Sequence, residues 1–192
     1  MEIVQYEHPA LRWKSKSIVQ IDARLHKLVR QMFDLMYEAK GIGLAANQVG
    51  LPYRFFIVNV TSDPDENGEE FVFINPEIVH RKGSVEGEEG CLSLPELYGQ
   101  VRRADDVVVD AFGLDGNGFQ MKLTELPARV IQHETDHLDG TLFIDRMSET
   151  GRREIEPRLL DFQAYFRRQQ AAGVIPSDEE IQQQLCELEQ KL

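Results

Sequence analysis

Two histidines four residues apart, His133 and His137, with Glu134 between them, constrain this chain more than any other feature. The run His133-Glu134-Thr135-Asp136-His137 is an H-E-x-x-H pattern inside a stretch predicted to be helical from about residue 125 to 138. Residues four apart share one helix face, so both imidazoles can reach a single metal ion. Glu134 lies about 100° around the axis, where it touches a water at the metal rather than competing as a ligand. Thr124 is the expected cap of this helix, Pro127 is tolerated in its first turn, and Gly140 lies just past its end. The apolar flanks Val130, Ile131 and Leu138 argue against a surface helix carrying two solvated histidines.

A hydrolytic metal site needs a third protein ligand and an open fourth position. The metzincin spacing is met by Gly140 but puts Phe143 where a third histidine belongs. Glu149, Glu154 and Glu156 are downstream carboxylates for a thermolysin-like site, but they match no required context. Cys91 is the more attractive candidate, because Glu88-Glu89-Gly90-Cys91-Leu92-Ser93-Leu94-Pro95 holds it in a tight, irregular turn. A buried thiol acting as a small hydrophobe is the alternative at that position.

The segment Gly41-Ile42-Gly43-Leu44-Ala45-Ala46 satisfies the dinucleotide-binding pattern G-x-G-x-x-A, which requires a preceding strand. What precedes it reads as a helix capped by Asp22 and running to about residue 40, with Leu25, Leu28, Val29, Met32, Leu35, Met36 and Ala39 on one face. The segment is therefore expected to be a loop against the active site, with glycines where backbone approaches substrate. Residues 54–60 are predicted to form a buried strand, and residues 71–74 another that ends at Asn75-Pro76. An acidic surface loop over 62–70 joins them. Strands over 107–112 and 119–123 flank Asp115-Gly116-Asn117-Gly118, a hairpin signal. From residue 151 the chain is polar and helical, with breaks at Gly173 and Pro176. Ser177-Asp178-Glu179-Glu180 is a capping box opening a last helix, whose stripe is Ile181, Leu185, Leu188 and Leu192. Strands mixed with segregated helices predict an α+β fold, with a catalytic domain over 1–150 and a helical extension over 151–192.

A net charge of −12 over 192 residues disfavours a nucleic-acid-binding surface. Two distant cysteines, Cys91 and Cys186, suggest no disulfide scaffold. Residues 1–14 carry acids and no apolar core of a signal peptide, and no apolar run is long enough to span a bilayer. A cytoplasmic protein with reduced thiols and no membrane contact is expected.

Three segments taken together resemble the peptide deformylase family. They are Gly41-Ile42-Gly43-Leu44-Ala45-Ala46-Asn47-Gln48, Glu89-Gly90-Cys91-Leu92-Ser93, and Gln132-His133-Glu134-Thr135-Asp136-His137-Leu138-Asp139-Gly140. Their order and spacing also fit, over roughly residues 3–147. The resemblance implies mixed, largely antiparallel sheets around a central H-E-x-x-H helix. It implies that Cys91 completes the metal site, that Glu134 is the general acid/base, and that Gln48 and the Leu92 backbone N–H stabilise an oxyanion. The implied substrate is an N-formylmethionyl nascent peptide, from which formate is released. Fe²⁺ is the implied natural metal, while a thiolate with two imidazoles also accepts Zn²⁺, Ni²⁺ or Co²⁺. Gly43, Ile42, Leu126 and Val130 are the substrate-pocket candidates, although ordinary core roles fit the apolar three equally well. Asp136 and Arg103 are candidates to orient the site through charge-assisted hydrogen bonds.

One position departs from the family: Glu125 stands where a glycine is usual, near the start of the metal-binding helix. The rival readings are a zinc endopeptidase and a binding protein that keeps only a structural metal site. A structural site would fill all four positions with protein ligands, and His8, His26 and His80 lack ligand-like spacing. Two further partners stay open. The arginines Arg152, Arg153, Arg158, Arg167 and Arg168 suit a ribosome surface, and the last helix's stripe is expected to pack on its own domain, with a homodimer as the second reading.

Overall fold

The computed structural model describes residues 1–65 and 70–191. The first helix, α1 (Ala23–Glu38), is capped by Asp22, whose carboxylate accepts from the Leu25 N–H at 2.9 Å. Its buried face is Leu25, Val29, Met32, Phe33 and Met36; of the predicted stripe Leu28, Leu35 and Ala39 are only half-buried, and Phe33 is added. Among the described residues seven strands follow in the chain: β1 (Gly43–Ala45), β2 (Phe55–Val58), β3 (Phe71–Lys82), β4 (Val85–Cys91), β5 (Leu94–Arg103), β6 (Asp106–Phe112) and β7 (Gly118–Thr124). The helices α2 (Glu125–Leu138), α3 (Glu149–Ala171) and α4 (Asp178–Glu189) complete it. A five-stranded sheet has the order β1-β2-β3-β6-β7, β4 and β5 form a separate hairpin, and every pairing is antiparallel. This is the expected α+β architecture.

The reason β2 is apolar throughout lies in what covers it. Successive side chains on a strand point to opposite faces. Phe55 and Ile57 pack with Met32 and Met36 of α1, whereas Phe56 and Val58 pack with Val130, Ile131 and Leu138 of α2. Both faces of the sheet are thus covered at β2, and α2 is pressed into the middle of the molecule. Each such buried side chain contributes about 1.5–3 kcal/mol.

Three local expectations are corrected. Strand β3 does not end at Asn75-Pro76 but continues to Lys82, with a register shift between Ile74 and Glu77. Proline has no N–H to donate, so it is accommodated where the ladder is interrupted. Asn75 turns its amide onto Ile18, accepting from its N–H and donating to its carbonyl, both at 2.8 Å. Residues 43–45, expected as loop, are a short strand, because their backbone pairs with β2 from Gly43 opposite Val58 to Ala45 opposite Phe56. Thr124 sits at the N-cap of α2 but makes no side-chain cap bond. Glu125 behind it is left-handed, at φ 55°.

At its other end α2 stops as expected. The Gly140 N–H bonds to the His137 carbonyl and the Thr141 N–H to the Asp136 carbonyl, at 3.0 and 2.9 Å, a Schellman closure with the left-handed residue at Gly140. A Cβ there would lie 2.6 Å from the Arg12 carbonyl oxygen, so the next segment can run close against residue 12 only with glycine. The tail packs on the rest of the chain. Leu159 of α3 joins Leu94, Leu97, Val101 and Phe143, while Ile181 and Leu185 of α4 join Ala10 and Phe166. Leu188 is packed against the α1 cluster, and Leu192 lies outside the described residues. Among the described residues no helix is long and apolar enough to cross a membrane.

Candidate active site

The central helix is buried along the whole of its last turns, from Val130 to Leu138. The i, i+4 spacing places His133 Nε2 and His137 Nε2 3.2 Å apart, and Cys91 Sγ lies 3.4 Å from His137 Nε2. These ligand atoms all lie within 4.8 Å of one another. Metal–ligand lengths of about 2.0–2.3 Å at tetrahedral angles would separate two nitrogens by about 3.3 Å and nitrogen from sulfur by about 3.6 Å. The donor set and its spread therefore fit one divalent ion with a position left open. The carboxylates of Glu149, Glu154 and Glu156 lie instead on exposed positions of α3. Phe143, in the metzincin position, stacks on the His133 ring at 6.3 Å between centroids.

Cys91 reaches this point because it ends β4 at the hairpin turn. Gly90 pairs with Tyr98, but Cys91 already pairs with Leu94, so residues 95–97 bulge out of β5 and the turn folds over α2. Glu89 lies on the same side of the strand as Cys91, two residues earlier. It is buried and accepts from Arg103 Nε and Nη2, both at 2.9 Å, and from Arg129 Nη1 at 2.7 Å. Its Oε2 lies 3.0 Å from His133 Nδ1. Burial alone would raise its pKa, but the hydrogen bonds from Arg103 and His133 hold its carboxyl far below the usual carboxylate range. The result is a carboxylate that fixes the His133 ring with Nε2 toward the ligand point.

Asp136 bonds to Arg103 and, through Arg146, closes a second pair at 2.7 Å. Arg103 and Asp136, read as orienting residues, thus sit in one network whose central member, Glu89, the sequence motif leaves without a role. Arg129 and Arg146 are two further members that sequence reasoning missed. Arg129 is one turn before His133 on α2, and that spacing is the signal that could have found it.

Glu134 is buried, with its Oε2 unpartnered. Burial pushes its carboxyl up to about 7, against the opposing pull of His133. Gly43 faces it: a Cβ at that residue would lie 2.5 Å from Glu134 Oε1. Only glycine lets β1 pass this close to the carboxylate. Gln48 follows in the 3₁₀ turn Ala46–Val49. Its Oε1 accepts from the Ala45 N–H at 2.9 Å, which leaves Nε2 directed at Cys91 Sγ and Ser93 Oγ, each 3.4 Å away. The amide N–H therefore points at the ligand cluster.

A cavity of about 650 Å³ opens onto these groups and is lined by Ile42, Gly43, Leu126 and Val130, together with Leu92, Leu97 and Tyr98. All four pocket candidates are brought together there. Leu126 and Tyr98 stand exposed at its mouth. The departure at Glu125 is now physical: the residue where the family usually has glycine is the one that needs a left-handed backbone.

Comparison with known proteins agrees with this arrangement. The polypeptide deformylase family model matches residues 1–153. A peptide deformylase of Rhodopirellula baltica is 46% identical over 189 residues, covering 98% of this chain and 94% of its own. A plant peptide deformylase crystal structure superposes with a TM-score of 0.85 at 41% identity, covering 92% of this chain and 95% of its own. The Plasmodium falciparum enzyme gives 0.83 at 37%, over 86% and 97%. The match runs through the strands, the H-E-x-x-H helix and the cysteine turn alike, and the chain belongs to the polypeptide deformylase family, whose members are metal-dependent hydrolases.

Proposed function

We propose that this chain removes the N-formyl group from the N-terminal methionine of newly synthesised polypeptides, releasing formate. The observation that carries the reading is the convergence of Cys91, His133 and His137 beside Glu134, at the base of a pocket lined by apolar side chains. Cys91, His133 and His137 would hold a divalent ion, which would supply Lewis acidity to lower the pKa of water. Fe²⁺ is the natural ion in this reading, with Zn²⁺, Ni²⁺ or Co²⁺ as working substitutes.

Glu134 accepts the proton of the attacking water and returns it to the leaving amine. A carboxyl pushed up to about 7 suits both halves of that exchange. The Gln48 amide and the Leu92 backbone N–H donate to the carbonyl oxygen as it gains charge, and being fixed in advance they need no reorganisation. Glu89, Arg103 and Asp136 keep the His133 ring in its working orientation. Ile42, Leu126 and Val130 take the methionine side chain, and the bare backbone at Gly43 lets the peptide approach. Residues 1–150 form the catalytic unit in this reading and 151–192 a helical extension of it. A cytoplasmic location and an encounter at the ribosome surface through the α3 arginines belong to the same proposal.

Formate release from formyl-Met-Ala-Ser by metal-loaded protein tests the function. Steady turnover is the expected result. Casein cleavage without formate would replace the reading with an endopeptidase, and metal binding with neither activity would leave a binding protein.

A further inference from the structure

The neighbour of Gln48 has a fully used side chain that no catalytic role explains. Asn47 is 1% exposed. Its Nδ2 donates to the carbonyls of Ala10 and Trp13, at 3.2 and 2.7 Å, and its Oδ1 accepts from Ser15 Oγ at 2.7 Å. Both amide hydrogens and the carbonyl are thus satisfied, and all three partners lie within residues 10–15, more than thirty positions away in sequence. An apolar side chain would leave the Trp13 carbonyl and the Ser15 hydroxyl without these bonds, while Ala10 would keep only the Trp13 N–H, and an aspartate in place of the asparagine would set a carboxylate against both carbonyls.

Other contacts anchor the same turn to the N-terminal segment. The Val4 N–H donates to the Gln48 carbonyl at 2.8 Å. On the far side of residues 10–16 lies α4. Ala10 packs with Phe166, Ile181 and Leu185, Trp13 Nε1 donates to Glu189 at 2.8 Å, and Lys16 pairs with Glu189 at 3.4 Å. Tyr53, against which this segment bridges at Lys16, donates to the Leu188 carbonyl at 3.3 Å. A continuous path of packed and hydrogen-bonded groups therefore runs from α4 through residues 10–16 and Asn47 to the turn that carries Gln48.

We propose that Asn47 is the positioning residue for Gln48, holding its turn on the N-terminal segment, and that α4, docked on the other side of that segment, helps set where the Gln48 amide points. The proposal rests on Gln48 being an oxyanion donor. Asn47 touches neither substrate nor metal ligand and acts through its neighbour alone. A displaced donor weakens the transition state and leaves ground-state binding alone, so the effect belongs in kcat rather than KM.

The test is a double-mutant cycle on the full-length, metal-loaded protein, reading kcat, KM and metal content, with the absorption spectrum of the Co²⁺-substituted protein as a second signal. Gln48→Ala is expected to lower kcat by roughly 10²–10³-fold. Asn47→Ala is expected to lower it by about 10–100-fold with KM and metal content held, and to have no further effect once Gln48 is alanine. The thiolate-to-Co²⁺ band should shift alike in both single variants, since each moves the Gln48 N–H away from Cys91 Sγ. If Asn47→Ala costs the same factor in both backgrounds, it acts independently of Gln48 and the proposal is overturned. If Gln48→Ala is silent, the oxyanion assignment fails and takes the proposal with it. Ser15→Ala, which removes one of the three bonds, replaces Asn47→Ala in the same cycle should the latter not fold. Trp13→Phe keeps an aromatic side chain, though a smaller one, and loses the bond to Glu189. It should lower kcat by about 2–5-fold in the parent and not at all with Gln48→Ala, and an unchanged kcat in the parent overturns the role given to α4.

Discussion

Replacing Glu89 with alanine is expected to damage folding and metal binding together, and the two losses can be sized separately. Glu89 accepts a fork from Arg103, a third bond from Arg129, and faces His133 Nδ1 at 3.0 Å. Its side chain is 4% exposed, Arg103's 5% and Arg129's 13%. Removing one member of a buried ion pair costs about 3–5 kcal/mol, because the other charge stays buried. Here the lower end applies, about 3 kcal/mol. Arg103 retains Asp136, and Arg129 retains the Val101 carbonyl at 2.9 Å. Freeing the His133 ring should weaken metal affinity by about 10–100-fold. Urea unfolding of the metal-free protein, followed by Trp13 fluorescence, measures the first loss, and competition with a chelator measures the second. The pH dependence checks the cause. A carboxyl held below its ordinary value of 4.5 contributes stability that is full above that pH and is lost as the pH falls through the folded value. The gap between parent and Glu89→Ala should therefore shrink as the pH falls below about 4.5. A variant within about 0.5 kcal/mol of the parent at pH 7, with unchanged metal affinity, would refute the account of Glu89 as the hub of a buried network.

Glu134→Ala should keep its metal by elemental analysis while turnover falls by about 10²–10⁴-fold; loss of the metal would make Glu134 a ligand. Gly43→Ala drives a methyl group to within 2.5 Å of Glu134 Oε1, and a carboxylate displaced by about 1 Å should cost roughly 10²-fold in formate release with an unaltered far-UV spectrum. Normal activity in that variant would show that β1 does not press on the base. Glu125→Gly should be close to neutral at low salt and stabilise the fold once salt screens the helix dipole. Relief of the left-handed backbone is worth about 1–2 kcal/mol, against about 0.3–1 kcal/mol lost from a carboxylate at the helix start and about 0.4–1 kcal/mol of unfolded-state entropy. The gain should be clearer in high salt, where the helix-dipole contribution is screened. Destabilisation at high salt would mean that the carboxylate does more than tolerate the backbone.

What was legible in the amino-acid order was whatever is local. The H-E-x-x-H helix and its bounds follow from a 3.6-residue period, the β6–β7 hairpin from its Asp-Gly-Asn-Gly turn, and the α1 cap from Asp22. The local turn made Cys91 a candidate, but only the family resemblance separated it from a buried structural thiol, since it lies 46 residues from His137. Position alone did not reveal that β3 runs through Asn75-Pro76, because a register shift against β6 and the bonds to Ile18 decide it. Nor could it reveal Glu89, whose task depends on Arg103 arriving from β5 and Arg129 and His133 from α2. The stripe of α4 predicts burial against its own domain first and a second copy only after that, and Ile181 and Leu185 are indeed buried on Ala10 and Phe166 of the same chain. Local periodicity specifies that a face will be buried, since an apolar stripe costs free energy in water. Which surface buries it, and which charges meet in the interior, is settled only when distant segments close on one another.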